Sequence, residues 1–109
     1  MVAAIHFNMD DWEALVIDGK LIDQNHSINW RHANKTMVAS KVDNYYSLPT
    51  DDPDVVRILR DAGFKRYMGN INWGSDDEAK ASYVMNWFPN EYESEEWSKL
   101  VEIAKEYGE

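Results

Sequence analysis

Three histidines, His6, His26 and His32, lie near acids in this 109-residue chain, a combination that invites a metal or an acid–base reading. A protein-bound transition metal wants ligands at spacings that converge, such as two histidines four apart on one helical face. The three positions match no such pair. Acids stand side by side at Asp10-Asp11, Asp51-Asp52 and Asp76-Asp77. Neighbours in sequence do not share a helical face, so nothing marks a paired-carboxylate hydrolase. Asp51-Asp52-Pro53-Asp54 is no calcium loop, because the glycine and the distant glutamate of that motif are missing. The chain has no cysteine, no Gly-x-Ser-x-Gly and no glycine-rich phosphate loop, and its five glycines leave little for a cofactor cradle. The expectation is a binding protein, not an enzyme, with no metal and no cofactor.

Charge says more than any motif. Twenty acids against eleven bases give a net charge of −9. Nucleic acids and anionic membranes are repelled by that average field, since phosphate contacts need clustered Lys and Arg. A basic protein is attracted by it, and long-range attraction speeds capture. The acidity is uneven. Residues 31–50 hold three bases (Arg31, Lys35, Lys41) against one acid (Asp43), whereas residues 67–109 hold ten acids against three bases. That acidic part is no solvated tail, because Trp73, Tyr83, Trp87, Phe88, Tyr92, Trp97 and Tyr107 are interleaved with the acids.

Two sets of charged residues are candidates for binding. Asp76, Asp77, Glu78, Glu91, Glu93, Glu95 and Glu96 form an acidic set, and the run Glu91-x-Glu93-x-Glu95-Glu96 is dense enough to imitate part of a phosphate backbone. The ordinary role of such acids is to favour helix starts through the dipole. The second set is basic: Arg57, Arg60, Lys65 and Arg66, with Tyr67 and Trp73 nearby, a group suited to holding phosphates and stacking a base. Arginines opposite an apolar stripe also form an ordinary solvated face.

The elements that must carry these residues are legible in part. Residues 2–7 read as a first strand. In DWEALVIDGKLIDQNHSI, residues 11–28, two apolar runs flank Asp18-Gly19, a pair that tolerates the positive φ angles of a type I′ hairpin turn. This register pairs Ile17 with Lys20, Val16 with Leu21 and Leu15 with Ile22. Trp12, Ala14, Val16 and Leu21 then share one face, and Leu15, Ile17 and Ile22 the other. One face needs a cover from the chain, and the other a partial cover or a partner. Around Thr36–Val42 a short strand and a short helix fit equally well.

Asp51-Asp52-Pro53-Asp54 opens a helix with its stripe at Val55, Ile58, Leu59 and Ala62 and Val56 at the border; Gly63 and Phe64 close it. Residues 66–73 read as a strand, and Ser75 with Glu78 as a capping box. Residues 79–88 fit helix or strand, and Pro89 ends them. Ser94-Glu95-Glu96 starts a last helix with a stripe at Trp97, Leu100, Val101, Ala104 and Tyr107, closed by Gly108. The sum is one α+β domain over residues 1–109, a small antiparallel sheet with two or three helices. The start of the chain, MVAAIHFNMDD, has no basic flank and too short an apolar run for a secretory leader, so a cytoplasmic protein is expected.

The hairpin also carries a likeness. Asp11-Trp12-Glu13-Ala14-Leu15-x-x-Asp18-Gly19-Lys20-Leu21, followed by His26-Ser27-Ile28, resembles the N-terminal part of small uncharacterised proteins of tailed bacteriophages, which read D-W-E-x-L-Y-x-D-G-K-L and then x-H-S-I/L. Val16 stands where those proteins tend to have Tyr, and the match is confined to the N-terminal quarter of the chain. The resemblance implies a phage-encoded accessory protein in the host cytosol and supplies no activity. Joined to the charge, it leads to the expectation of an inhibitor. Such a protein offers carboxylates where a host defence or nucleic-acid-handling protein with a basic surface expects phosphates. Sequestration of a nucleotide by the basic set is the alternative, and a structural protein acting as a homodimer or larger oligomer is a third.

Overall fold

The computed structural model describes residues 2–8, 12–50, 52–62, 88 and 90–108, with the side chains of Val56 and Arg60 left aside. Strands β2 (Glu13–Ile17) and β3 (Lys20–Asn25) form the hairpin, and Asp18 (φ 51°) and Gly19 (φ 80°) both take the left-handed conformation that a type I′ turn demands. Ile17 faces Lys20 and Val16 faces Leu21, as the turn dictates. The third expected pair is different: the register shifts between Leu15 and Val16, and Leu15 faces Asp23 instead of Ile22. An unshifted ladder would place Asp23 opposite the fully buried Ala14. The bulge moves every later side chain to the other face, so Gln24 faces Ala14 and Asp23 leaves the main core.

Strand β1 (Ala3–Asn8) pairs antiparallel with β2, and a strand that sequence reading missed, β4 (Asn44–Pro49), pairs parallel with β1. The sheet is therefore mixed, in the order β3-β2-β1-β4. Since β3 and β4 lie on opposite edges and run the same way, their connection must cross the sheet. Helix α1 (Trp30–Ala39) makes that crossing and resolves the Thr36–Val42 ambiguity: its last turn is helical to Ala39. The Asn29 side chain accepts from the His32 amide at 3.2 Å to cap the start. At the other end Lys41 turns left-handed (φ 57°), its amide donating to the Val38 carbonyl and that of Val42 to the Met37 carbonyl, both at 3.1 Å. This is a Schellman stop built without glycine.

Helix α2 (Pro53–Asp61) opens as its sequence announces: the Asp54 amide donates to the Asp52 carboxylate at 2.8 Å, with Pro53 in the first turn. Helix α3 (Ser94–Gly108) is the last element among the described residues. Among the described residues the molecule is thus α+β, four strands with three helices, and no helix is long and apolar enough to cross a membrane. The expected Gly63–Phe64 stop, the strand at 66–73, the Ser75–Glu78 capping box and the undecided residues 79–87 lie outside the described residues.

Both faces of the sheet are covered by the chain itself. Ile5, Phe7, Val16 and Leu48 pack with Val55 and Leu59 of α2, with Trp97, Leu100 and Ala104 of α3, and with Phe88 and Tyr92. On the reverse face, Ala4, Leu15 and Ile17 pack against Ile28 and Ala33, flanked by Ile22, Trp30 and Met37. The two-sided apolar hairpin is explained without a partner: α1 covers its second face. Two expected stripe positions are exposed. Ile58 is 40% exposed and Tyr107 38%, the latter donating its hydroxyl to Asp52 at 3.2 Å.

The outer edge of β3 is tied to the segment before α3. The Leu21 amide donates to the Asn90 carbonyl at 2.8 Å, and the Tyr92 amide to the Gly19 carbonyl at 2.7 Å. Gln24 completes the seam with its side-chain amide. Its Oε1 accepts from the Phe88 amide at 2.8 Å and from Trp12 Nε1 at 3.2 Å, while Nε2 donates to the Phe88 carbonyl at 3.2 Å. A buried polar group left without its partner costs about 1–3 kcal/mol. Gln24→Leu is therefore expected to lower stability by about 2 kcal/mol in urea titration, by stranding both polar groups of Phe88.

Candidate functional site

The described acidic residues gather where α3 meets the hairpin turn. Glu91 is set by its bridge to Lys20 across the β3 edge. Glu93 is the N-cap of α3: its carbonyl accepts from the Trp97 amide at 2.8 Å, and its own amide donates to Glu96 Oε1 at 3.4 Å. The last bond is the return half of a capping box, with Glu93 as the cap one residue before Ser94, where the helix begins. Glu95 and Glu96 occupy the first helical turn, where the dipole favours negative charge. Glu91, Glu93 and Glu95 are exposed and Glu96 half-buried, so Glu96 serves the helix as well as the surface.

A cleft of about 450 Å³ opens beside these acids, floored by Ala3, Tyr92, Trp97 and Val101 and rimmed by Asp18, Glu91 and Glu102, with Ser94 and Ser98 between. Asp18 is delivered by the hairpin turn and Glu102 by the third turn of α3. Sequence reading missed both as surface acids. Asp18 was absorbed by its turn role, and Glu102, seven residues after Glu95, lies along the same helical side only once the segment is known to be one helix. Glycine is favoured at position 19 by its left-handed backbone (φ 80°) and not by want of space, since a side chain there would make only ordinary contacts. Its Cβ would meet the Tyr92 carbonyl at 3.5 Å and the Trp97 ring at 3.6 Å. Such an arrangement can receive a cationic side chain, its stem against Trp97 and its charge among the rim carboxylates.

Burial, followed by the Glu96 charge, pushes the Tyr92 phenol far above the ordinary tyrosine range. Its neutral form is thus favoured by folding. That stability is complete below the unfolded value of about 10 and is lost as pH rises above it, at about 1.4 kcal/mol per pH unit. Tyr92→Phe is expected to flatten the alkaline limb of a stability-against-pH profile; an unchanged slope contradicts this assignment.

The other candidates fare differently. Asp76, Asp77 and Glu78 lie outside the described residues, as do Lys65, Arg66, Tyr67 and Trp73 of the basic set, and the Arg60 side chain. Arg57 is exposed on α2 and lies 3.5 Å from Asp54, one turn back on the same helix. His6 Nε2 donates to Glu13 Oε1 at 2.8 Å, with its ring edge-on to Trp30 at 4.9 Å, and Glu13 Oε2 accepts from the Ile28 amide at 3.0 Å. This pair fixes the entry to α1. His26 sits edge-on to Trp12 at 4.9 Å, and His32 is exposed. Among the described residues, no three His, Cys, Asp or Glu side chains come together in a group able to hold a metal ion. Set against family models, curated proteins and solved structures, the chain matches none.

Proposed function

We propose that this chain is a phage-type accessory protein that binds a basic host protein, one that handles nucleic acid or serves defence, and inhibits it by presenting carboxylates in place of phosphates. The observation that carries this reading is the convergence of Asp18, Glu91 and Glu102 on one cleft, beside Glu93 and Glu95 on the first turn of α3 and above the Trp97 ring. Three separate parts of the chain supply these charges, and few bases are interspersed: Lys20, Lys99 and Lys105 are the near ones in sequence. A partner's Lys or Arg gains both charge and an apolar seat there, which a solvated helix start does not offer. The host cytosol is the compartment in which this activity would operate. The test is neutralisation of the acids: binding and inhibition are expected to fall together, and duplex DNA is expected to compete with the chain for the same partner surface.

A further inference from the structure

Among the described residues nothing bonds the indole nitrogen of Trp97. Trp97 is only 8% exposed, and buried N–H groups are nearly always satisfied, by protein or by water. The solvent that Trp97 borders lies in the cleft between the hairpin turn and α3. Its pyrrole ring, which holds Nε1, begins 3.6 Å from where a Cβ on Gly19 would stand, on the side of the turn. Nε1 is thus a donor aimed into the cleft. The rim has the opposite need. Asp18 and Glu91 on the hairpin side, and Glu102 on the helix side, use their carboxylates in no hydrogen bond or ion pair among the described residues. No Lys or Arg lines the cleft, and Lys20, Lys99 and Lys105 nearby in sequence are exposed. An ammonium or a guanidinium answers carboxylates but brings donors only, so it leaves Nε1 unanswered. A ligand that satisfies both must carry an acceptor between its cations.

We propose that the cleft seats an extended basic peptide segment of the partner, with a main-chain carbonyl accepting from Trp97 Nε1 and its Lys or Arg side chains reaching Asp18, Glu91 and Glu102. This rests on the reading of the chain as a binder of a basic protein, and narrows the contact from a folded basic surface to a strand-like segment or tail. A peptide brings one carbonyl per residue, so acceptors and cations arrive together. In an extended chain neighbouring side chains point opposite ways, which suits a rim with acids on both walls. Ser94 and Ser98, four apart on the cleft side of α3, offer hydroxyls to further main-chain groups.

The test is a titration of the nitrogen-15-labelled chain with the acetylated, amidated peptide Arg-Ala-Arg-Ala-Arg, read on the indole N–H resonances of its five tryptophans. Spermidine, which matches the peptide's charge and has no acceptor, is the control. At about 0.15 M salt the Trp97 indole resonance is expected to move downfield with the peptide and to hold its place with spermidine, which binds about tenfold more weakly for want of the hydrogen bond. Asp18→Asn keeps a residue that tolerates the left-handed turn, and Glu102→Gln keeps a good helix former. Each is expected to raise the peptide's dissociation constant about fivefold without loss of fold. Peptide binding that leaves the Trp97 resonance in place overturns the proposal. So does spermidine bound as tightly as the peptide, because charge alone then fills the cleft. A chain that ignores the peptide yet captures a basic protein from lysate overturns it and leaves the proposed function standing. A chain that takes the peptide with the Trp97 shift but captures no protein upholds it, and the proposed function falls instead.

Discussion

Phe7→Ala is expected to lower the unfolding free energy by about 3–5 kcal/mol, the usual range for deleting a fully buried aromatic ring. Phe7 sits at the centre of the sheet, fully buried, in register with Ala14 on one side and Leu48 on the other. Its ring stacks on Phe88 at 5.2 Å with 18° between the planes and tilts against Tyr92 at 6.4 Å. The alanine facing it on β2 is too short to fill the hole, so a cavity is left on that side. Domains of this size are stable by about 5–15 kcal/mol, so one substitution removes a large share. The measurement is a urea midpoint with the slope unchanged. A Phe7–Phe88 double-mutant cycle should show a coupling of about 1 kcal/mol, because both rings contribute to one stack. Loss below about 1 kcal/mol for the single variant would mean that Phe88 does not dock on the sheet.

The second large effect concerns the acidic surface. Glu93, Glu95 and Glu96 changed together to Gln are expected to weaken partner binding by roughly 100-fold, about 2.8 kcal/mol, with a shallower salt dependence. Glutamine is the informative replacement. At position 96 its side-chain oxygen still accepts from the Glu93 amide and keeps the capping box. Lysine would break that bond and oppose the dipole, at about 0.3–1 kcal/mol per residue, confusing lost fold with lost charge. The glutamine variant should therefore melt within a few degrees of the wild type while losing its partner. Binding that survives neutralisation unchanged would remove these acids from the interface.

What could be read from the sequence was whatever is encoded locally. The Asp18-Gly19 turn, the two faces of the hairpin and the cap of α2 each depend on a few adjacent residues, and each is present. The features that escaped depend on distant ones. The β2–β3 bulge follows from where Asp23 and Gln24 must point, which is set by Ala14 and by Phe88, 64 residues beyond Gln24. Strand β4 is a six-residue edge whose pairing with β1 is parallel and non-local, and its Tyr-rich pattern alternates buried and exposed without announcing a partner. Helix α1 stops at a left-handed Lys41, where the expected signal would have been glycine. Tyr107 kept the period of the α3 stripe but lies past the end of the core, so it turns to Asp52 instead. The acidity of the second half was plain from composition. Its convergence with Asp18 and Glu102 around Trp97 was not, because that juxtaposition exists only when the hairpin turn meets α3.

The most direct test of the central claim is capture from bacterial lysate with the wild-type chain and the Glu93, Glu95, Glu96 to Gln variant as parallel baits. The account predicts one basic, nucleic-acid-handling or defence protein on the wild-type bait, released by high salt, displaced by duplex DNA and absent from the variant. Equal capture by both baits, or no protein beyond further copies of the chain, would contradict it.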